Sequence, residues 1–117
     1  MKRFILFTFS VFLSYSIAIA QAPNNLTVNT INPTDVDLSW DNNGCTVDYI
    51  LRYKENGTST WQAGILITNS GGTQTYNLSG LTNLTTYNWK VKCGGGWSVI
   101  DTFSTTSSCP SIISQNN

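Results

Sequence analysis

The stretch LTNLTTYNWKVKC, from Leu81 to Cys93, decides the fold of this chain. Apolar and polar residues alternate from Tyr87 to Cys93, which predicts a β-strand with one buried face. Leu81 precedes Tyr87 by six positions. This is the arrangement of a tyrosine corner, in which the tyrosine ring enters the core of a β-sandwich and its hydroxyl returns to the backbone upstream.

The rest of the sequence up to residue 106 consists of short alternating runs separated by Asn, Gly, Ser, Thr and Pro. No apolar helical period is present beyond the first 20 residues, so the pattern predicts an all-β domain of two packed antiparallel sheets. Seven strands are predicted, around residues 26–28, 36–40, 49–53, 61–67, 76–78, 87–93 and 97–103. The residues expected to point between the sheets are Leu38, Trp40, Leu51, Tyr53, Leu78, Tyr87, Trp89 and Val91.

The order of several short motifs resembles that of a fibronectin type III domain. These motifs are Pro23-Asn24-Asn25-Leu26, Leu38-Ser39-Trp40, Tyr49-Ile50-Leu51-Arg52-Tyr53, the Leu81 to Tyr87 corner and Phe103-Ser104-Thr105. A chain with Gly57, Trp61 and a cysteine at the end of its sixth strand also resembles repeats of secreted bacterial multidomain proteins. The resemblance implies a seven-stranded, antiparallel, immunoglobulin-like β-sandwich over residues 21–106, with Trp40, Leu81 and Tyr87 as fold-defining residues.

The first 20 residues have the pattern of an export signal. Lys2 and Arg3 precede an uncharged apolar run, which closes on Ala18-Ile19-Ala20. This pattern predicts a signal peptide, residues 1–20, cleaved after Ala20, with a short C-terminal tail at 107–117. A retained membrane anchor is the alternative. The predicted location is secreted, extracellular or at the cell surface, with the periplasm as the other compartment.

Cleavage would leave four basic and six acidic residues, a net charge of −2. The four bases, Arg52, Lys54, Lys90 and Lys92, are spread along the sequence and indicate no phosphate-binding surface. We therefore expect no nucleic-acid partner, and no membrane span after signal cleavage.

The chain has three cysteines, so an exported form is expected to hold one disulfide and one remaining thiol. In the predicted sandwich, Cys45 and Cys93 lie at the same pole and form the expected pair. The alternative is that both stay reduced. Cys109 is left over and predicts a dimer through an intermolecular disulfide.

The sequence argues against catalysis. It contains no histidine, which removes the usual general base and the commonest metal ligand. Asp35, Asp37 and Asp41 share the outward face of one predicted strand, where a solvated row of carboxylates is the expected role. Calcium binding at residues 41–44 is the alternative. We predict no enzyme activity, no cofactor and no metal.

The predicted partner surface lies at the disulfide-bearing pole and comprises Asn42, Asn43, Gly44, Gly94, Gly95, Gly96 and Trp97. Trp61 and Trp97 either pack against the domain or form exposed platforms that stack on sugar rings. The predicted function is a secreted, non-catalytic binding or spacer module that mediates protein interaction. Two alternatives are a carbohydrate-binding module that uses Trp61 and Trp97, and a structural subunit cross-linked through Cys109.

Overall fold

Eight β-strands make up the regular structure of the computed structural model, which describes residues 22–108. The strands are β1 Asn24–Ile31, β2 Asp35–Asp41, β3 Tyr49–Glu55, β4 Ile65–Ile67, β5 Thr73–Ser79, β6 Thr86–Cys93, β7 Gly96–Trp97 and β8 Asp101–Ser104. Within residues 22–108 no helix is long and apolar enough to span a membrane. The predicted signal peptide and Cys109 lie outside the described residues.

The strands form the two antiparallel sheets of a β-sandwich. One sheet has the order β1-β2-β5, and the other has the order β4-β3-β6, with both β7 and β8 pairing with the far edge of β6. Strands β3 and β6 form the centre of the second sheet, and their register places Arg52 opposite Lys90. Because side chains alternate along a strand, the odd-numbered residues of β3 up to Tyr53 and of β6 face the core, and the even-numbered ones face outward.

The core lies between β2 and β5 of one sheet and β3 and β6 of the other. Trp40 is fully buried at its centre, with its ring 5.4 Å from the ring of Tyr49 and 6.2 Å from that of Trp89. Each fully buried large side chain stabilises the fold by about 1.5–3 kcal/mol. Of the residues predicted to point inward, only Tyr53 is half-buried, and its ring contacts Tyr87 at 5.9 Å.

The connection from β5 to β6, which crosses from one sheet to the other, has the geometry of a tyrosine corner. The backbone N–H of Thr82 donates a hydrogen bond of 2.8 Å to the hydroxyl of Tyr87. Leu81 is buried beside it, and the ring of Tyr87 stacks on Phe103 at 5.5 Å. The loop before β6 is thus held in place both by a hydrogen bond to its backbone and by the burial of Leu81.

Two strand boundaries differ from the predictions. The strand expected from Trp61 to Ile67 is regular only in β4. Gly64, which precedes it, lies so close to Ile50 that a side chain at this position would clash. The last predicted strand, residues 97–103, is divided into β7 and β8. Ser98 interrupts it, since its hydroxyl accepts a hydrogen bond from the Val91 backbone N–H at 3.0 Å and its own N–H donates to the Val91 carbonyl.

Candidate functional site

A disulfide joins two loops at one pole of the sandwich. Cys45 and Cys93 are bonded, with their Cα atoms 5.9 Å apart, so the predicted pairing is confirmed. The bond links the loop after β2 to the hairpin between β6 and β7. We call residues 42–45 and 93–96 the stapled pole.

Asn42 holds the stapled pole together from within. Its side-chain amide donates to the Cys45 carbonyl at 2.9 Å and to the buried Tyr49 hydroxyl at 2.8 Å. The Asn69 side-chain oxygen lies 3.1 Å from the same nitrogen, and Asn69 in turn donates to the carbonyls of Cys45 and Val47. Since its side-chain N–H groups are used internally, Asn42 is a structural residue of the pole.

The exposed surface of the stapled pole is small. Asn43 and Gly44 have φ values of 49° and 82°, the left-handed conformations of a type I′ turn, and Cys45 N–H donates back to the Asn42 carbonyl. Gly94 and Gly95 form the exposed tip of the neighbouring hairpin. The Asn43 side chain donates to the Ala22 carbonyl at 2.9 Å, so the pole offers a partner mainly backbone groups.

Trp61 and Trp97 do not lie at the pole. Both are half-buried on the outer face of the β3-β6 sheet, where they flank one lysine. The Lys90 ammonium lies 4.3 Å from the Trp61 ring centroid and 4.4 Å from that of Trp97. The predicted partner surface thus divides into two parts, and Gly96 and Trp97 of β7 connect them.

The four basic side chains within residues 22–108 all lie on this same face. Lys54 approaches the Trp61 ring at 4.9 Å, while Lys92 and Arg52 approach the Trp97 ring at 5.5 and 5.8 Å. The expectation that these bases are dispersed is wrong, because the pairing of β3 with β6 brings them together. We call Arg52, Lys54, Trp61, Lys90, Lys92 and Trp97 the cation-tryptophan face.

The positive charge of this face is not balanced by acidic neighbours. In the described part of the chain no Lys or Arg forms an ion pair; Lys54 instead donates to the Thr58 carbonyl at 2.7 Å. Arg52 and Lys90 are direct cross-strand partners, and like charges in that position destabilise a sheet. Cation–π contacts offset part of this cost, by about 0.5–1 kcal/mol at an exposed site.

The opposite face of the sandwich is acidic. Asp35, Asp37 and Asp41 alternate along the outer side of β2, as expected. Hydrogen bonds from Asn77 and Asn32 lower the pKa of Asp35 below its ordinary value of 3.8, and bonds from Asn25 and Thr73 do the same to the pKa of Asp41. The two sheets therefore present opposite charges to solvent.

A cleft of about 400 Å³ lies on the acidic face and is lined by Asn29, Asp37, Thr75, Tyr76 and Asn77. The Asn77 amide already donates to Asp35 at 2.9 Å and to Asp37 at 2.7 Å. The Asn77 amide is thus occupied by internal hydrogen bonds. None of the predicted site residues lies in the cleft.

In residues 22–108 no group of three or more Cys, Asp or Glu side chains has the arrangement of a metal site. The predictions of no catalysis, no cofactor and no metal stay predictions. Sequence reasoning missed the linking role of Asn69 and the gathering of the bases. The gathering of the bases could have been found from the sequence. The residues that carry it occupy outward positions of strands that pair in this kind of sandwich, and they are Arg52, Lys54, Lys90 and Lys92.

Comparison with known proteins places these features in a family. The model of the fibronectin type III domain matches residues 21–106. No curated protein matches the chain in sequence.

Solved structures with the same fold include domains from animal proteins. The FN1-FN3 domains of chicken CNTN1 have a TM-score of 0.65 and 19% identity, over 75% of this chain and 31% of that one. The fn3 domain of human contactin 1 has a TM-score of 0.63 and 19% identity, over 79% and 83% of the two chains. The FN3 domain of human collagen XX has a TM-score of 0.61 and 18% identity, over 72% and 90%. At these identities the similarity shows the fold alone.

Proposed function

Since the chain belongs to the fibronectin type III family, whose model matches residues 21–106, we propose that it is a secreted, non-catalytic binding or spacer module that mediates protein interaction outside the cell or at its surface. Domains of this family are commonly binding or spacer modules. The N-terminal export pattern and the Cys45–Cys93 disulfide support the extracellular location, because disulfides persist in oxidising compartments.

The observation that carries this proposal is the stapled pole. The disulfide and the bonds of Asn42 fix two adjacent loops in one conformation. Loops at the pole of a sandwich are common binding surfaces, and a rigid loop loses less conformational entropy when a partner binds.

The proposal is tested by partner capture. The chain from Gln21 to Asn117 is immobilised and exposed to the secreted fraction of the cells that produce it. Gly95→Gln adds bulk to the pole, where a side chain meets no neighbouring atom within 4 Å, so the fold is retained. Thr82→Gln is the control, since Thr82 is exposed at the opposite pole. A partner captured by the wild type and the control, and not by Gly95→Gln, supports binding at the pole. Equal capture by all three rejects the pole, and no capture at all leaves the spacer role.

A second candidate is carbohydrate binding through Trp61 and Trp97. It is favoured by one observation, that both rings lie on the same face and contact the same lysine. Replacing both tryptophans with Ala should abolish retention by a polysaccharide gel while the thermal unfolding transition persists. Unchanged retention would reject this candidate.

The structural subunit joined through Cys109 stays a prediction, because Cys109 lies outside the described residues. A non-reducing gel tests it directly. A dimer that disappears in Cys109→Ser is expected, and a monomer in both samples would contradict it.

A further inference from the structure

We infer that the cation-tryptophan face binds an acidic polysaccharide of the uronate type, a polymer of sugar rings that each carry a carboxylate. This inference deepens the second candidate function and rests on it. A neutral sugar would need only the two tryptophans. The surrounding charges indicate a ligand that is anionic as well.

The first argument is the electrostatic cost of the face. Arg52 and Lys90 lie directly opposite each other, with Lys54 and Lys92 at the neighbouring outward positions of the same two strands. Outward residues two apart on a strand are separated by about 7 Å, and adjacent strands by about 5 Å. Four positive charges at such distances repel each other, and within residues 22–108 no carboxylate pairs with them. A local arrangement that costs stability is expected where it serves a function.

The second argument is the distribution of charge over the whole domain. The chain after residue 20 is acidic overall, with four basic and six acidic residues. Nevertheless all four bases are on the outer side of one sheet, while Asp35, Asp37 and Asp41 are on the outer side of the other. An anionic ligand is thus attracted to one face and repelled from the opposite one, which orients its approach.

The third argument separates a sugar polymer from other polyanions. Each cation lies within 5.8 Å of a tryptophan ring centroid, and both rings are only half-buried, so a ligand that meets the charges also meets the uncovered part of the rings. Pyranose rings pack their C–H groups on such a surface while a carboxylate on the same ring reaches a neighbouring ammonium. An acidic polypeptide supplies the carboxylates without the flat ring. Single-stranded nucleic acid also combines charge with stacking, so it is one of the polymers compared in the test.

The test is affinity electrophoresis of the chain from Gln21 to Asn117 through gels that contain one polymer each. The four polymers are polygalacturonate, its fully methyl-esterified form, poly-glutamate and oligo-dT. The methyl ester keeps the sugar rings and removes the charge, and poly-glutamate keeps the charge and removes the rings. We expect strong retardation by polygalacturonate alone. We also expect it to weaken markedly as salt rises from about 0.1 M to about 1 M, because the Debye length falls from about 10 Å to about 3 Å.

Matched variants identify the surface. Lys90→Gln should weaken polygalacturonate binding about tenfold, because a charge-assisted contact is lost, and Lys90→Arg should restore it. Thr82→Asp at the opposite pole changes the net charge by the same amount as Lys90→Gln and should leave binding within about twofold of wild type. Trp61→Leu, which keeps apolar bulk, should also weaken binding. Unfolding midpoints of all variants are measured alongside. If one of these variants does not fold, Lys92→Gln, which removes another charge of the cation-tryptophan face, takes its place.

Four results would overturn the inference. They are equal retardation by the methyl ester, equal retardation by poly-glutamate or oligo-dT, equal loss of binding in Thr82→Asp and Lys90→Gln, and migration unaffected by polygalacturonate. A cation-tryptophan face that only stabilised the sheet would give the last result, with lowered unfolding midpoints in the variants. If polygalacturonate fails while the pole still captures a protein partner, this inference is lost and the protein-binding proposal stands. Binding of the methyl ester as strong as that of polygalacturonate would keep the carbohydrate candidate and reject the requirement for charge.

Discussion

Reduction of the Cys45–Cys93 disulfide should remove a large share of the stability of this domain. The bond closes a loop with a sequence separation of 48 residues. A cross-link of that span lowers the entropy of the unfolded chain by an amount worth about 4 kcal/mol at 25 °C. Since small domains are stable by only about 5–15 kcal/mol, the reduced protein should be marginal.

Urea unfolding of the oxidised and reduced protein, followed by tryptophan fluorescence, measures this difference. A Cys109→Ser background prevents disulfide exchange during the experiment. The reduced form should unfold at a much lower urea concentration. Its m-value should rise, because a chain without the cross-link exposes more surface when it unfolds. A difference in unfolding free energy below about 1 kcal/mol would refute the role of the disulfide as the main constraint on the unfolded state.

Three further changes test single features. Tyr87→Phe should lower the free energy of unfolding by about 1–3 kcal/mol, since the Thr82 backbone N–H loses its hydrogen-bond partner in the corner. Tyr53→Phe is the control, because the Tyr53 hydroxyl makes no hydrogen bond to the described residues. In the same urea titration its free energy of unfolding should stay within about 0.5 kcal/mol of wild type. Leu84 is exposed with a φ of 51°, so Leu84→Asn should raise the unfolding midpoint by relieving backbone strain, and a lower midpoint would contradict this. Asn77 lowers the pKa of Asp35, so this contribution to stability is complete above pH 3.8 and is lost as pH falls through the lowered pKa. A pH titration of the unfolding free energy should therefore be flatter in Asp35→Asn than in wild type, and superimposable slopes would count against the hydrogen bond.

Much of the fold could be predicted from local patterns in the sequence. The alternation in β2, β3 and β6 identifies their buried faces, because a strand has a period of two. The spacing from Leu81 to Tyr87 identifies the corner, and the placement of Cys45 in the loop after β2 and of Cys93 at the end of β6 identifies the disulfide. These features are all properties of single segments or of a known sandwich topology.

The parts that were wrong depend on contacts between segments. Ser98 ends β7 because its hydroxyl competes for the backbone of Val91, and no local pattern predicts that bond. Gly64, just before β4, passes against Ile50, and the need for glycine at this position comes from that contact between two segments. A strand boundary set by such a contact becomes visible only once both chain segments are placed in space.

The candidate site illustrates the same limit. Arg52 and Lys90 are 38 positions apart in the sequence, and they become neighbours only through the register of β3 and β6. Trp61 belongs to a segment without regular structure, so its contact with Lys90 could not be inferred from strand alternation. The sequence predicted Trp61 and Trp97 as candidate sugar-binding residues, but it did not predict the lysine and arginine side chains that surround them.

The location of the ligand site is tested most directly by the indole N–H signals of the four tryptophans in a ¹H–¹⁵N NMR spectrum during titration with polygalacturonate oligomers. Trp40 and Trp89 are fully buried in the core, while Trp61 and Trp97 lie on the cation-tryptophan face, so the chain carries its own internal control. Binding at this face predicts that the signals of Trp61 and Trp97 move together in a saturable way while those of Trp40 and Trp89 stay in place. Saturable changes confined to backbone signals of the stapled pole, or no changes at all, would contradict it.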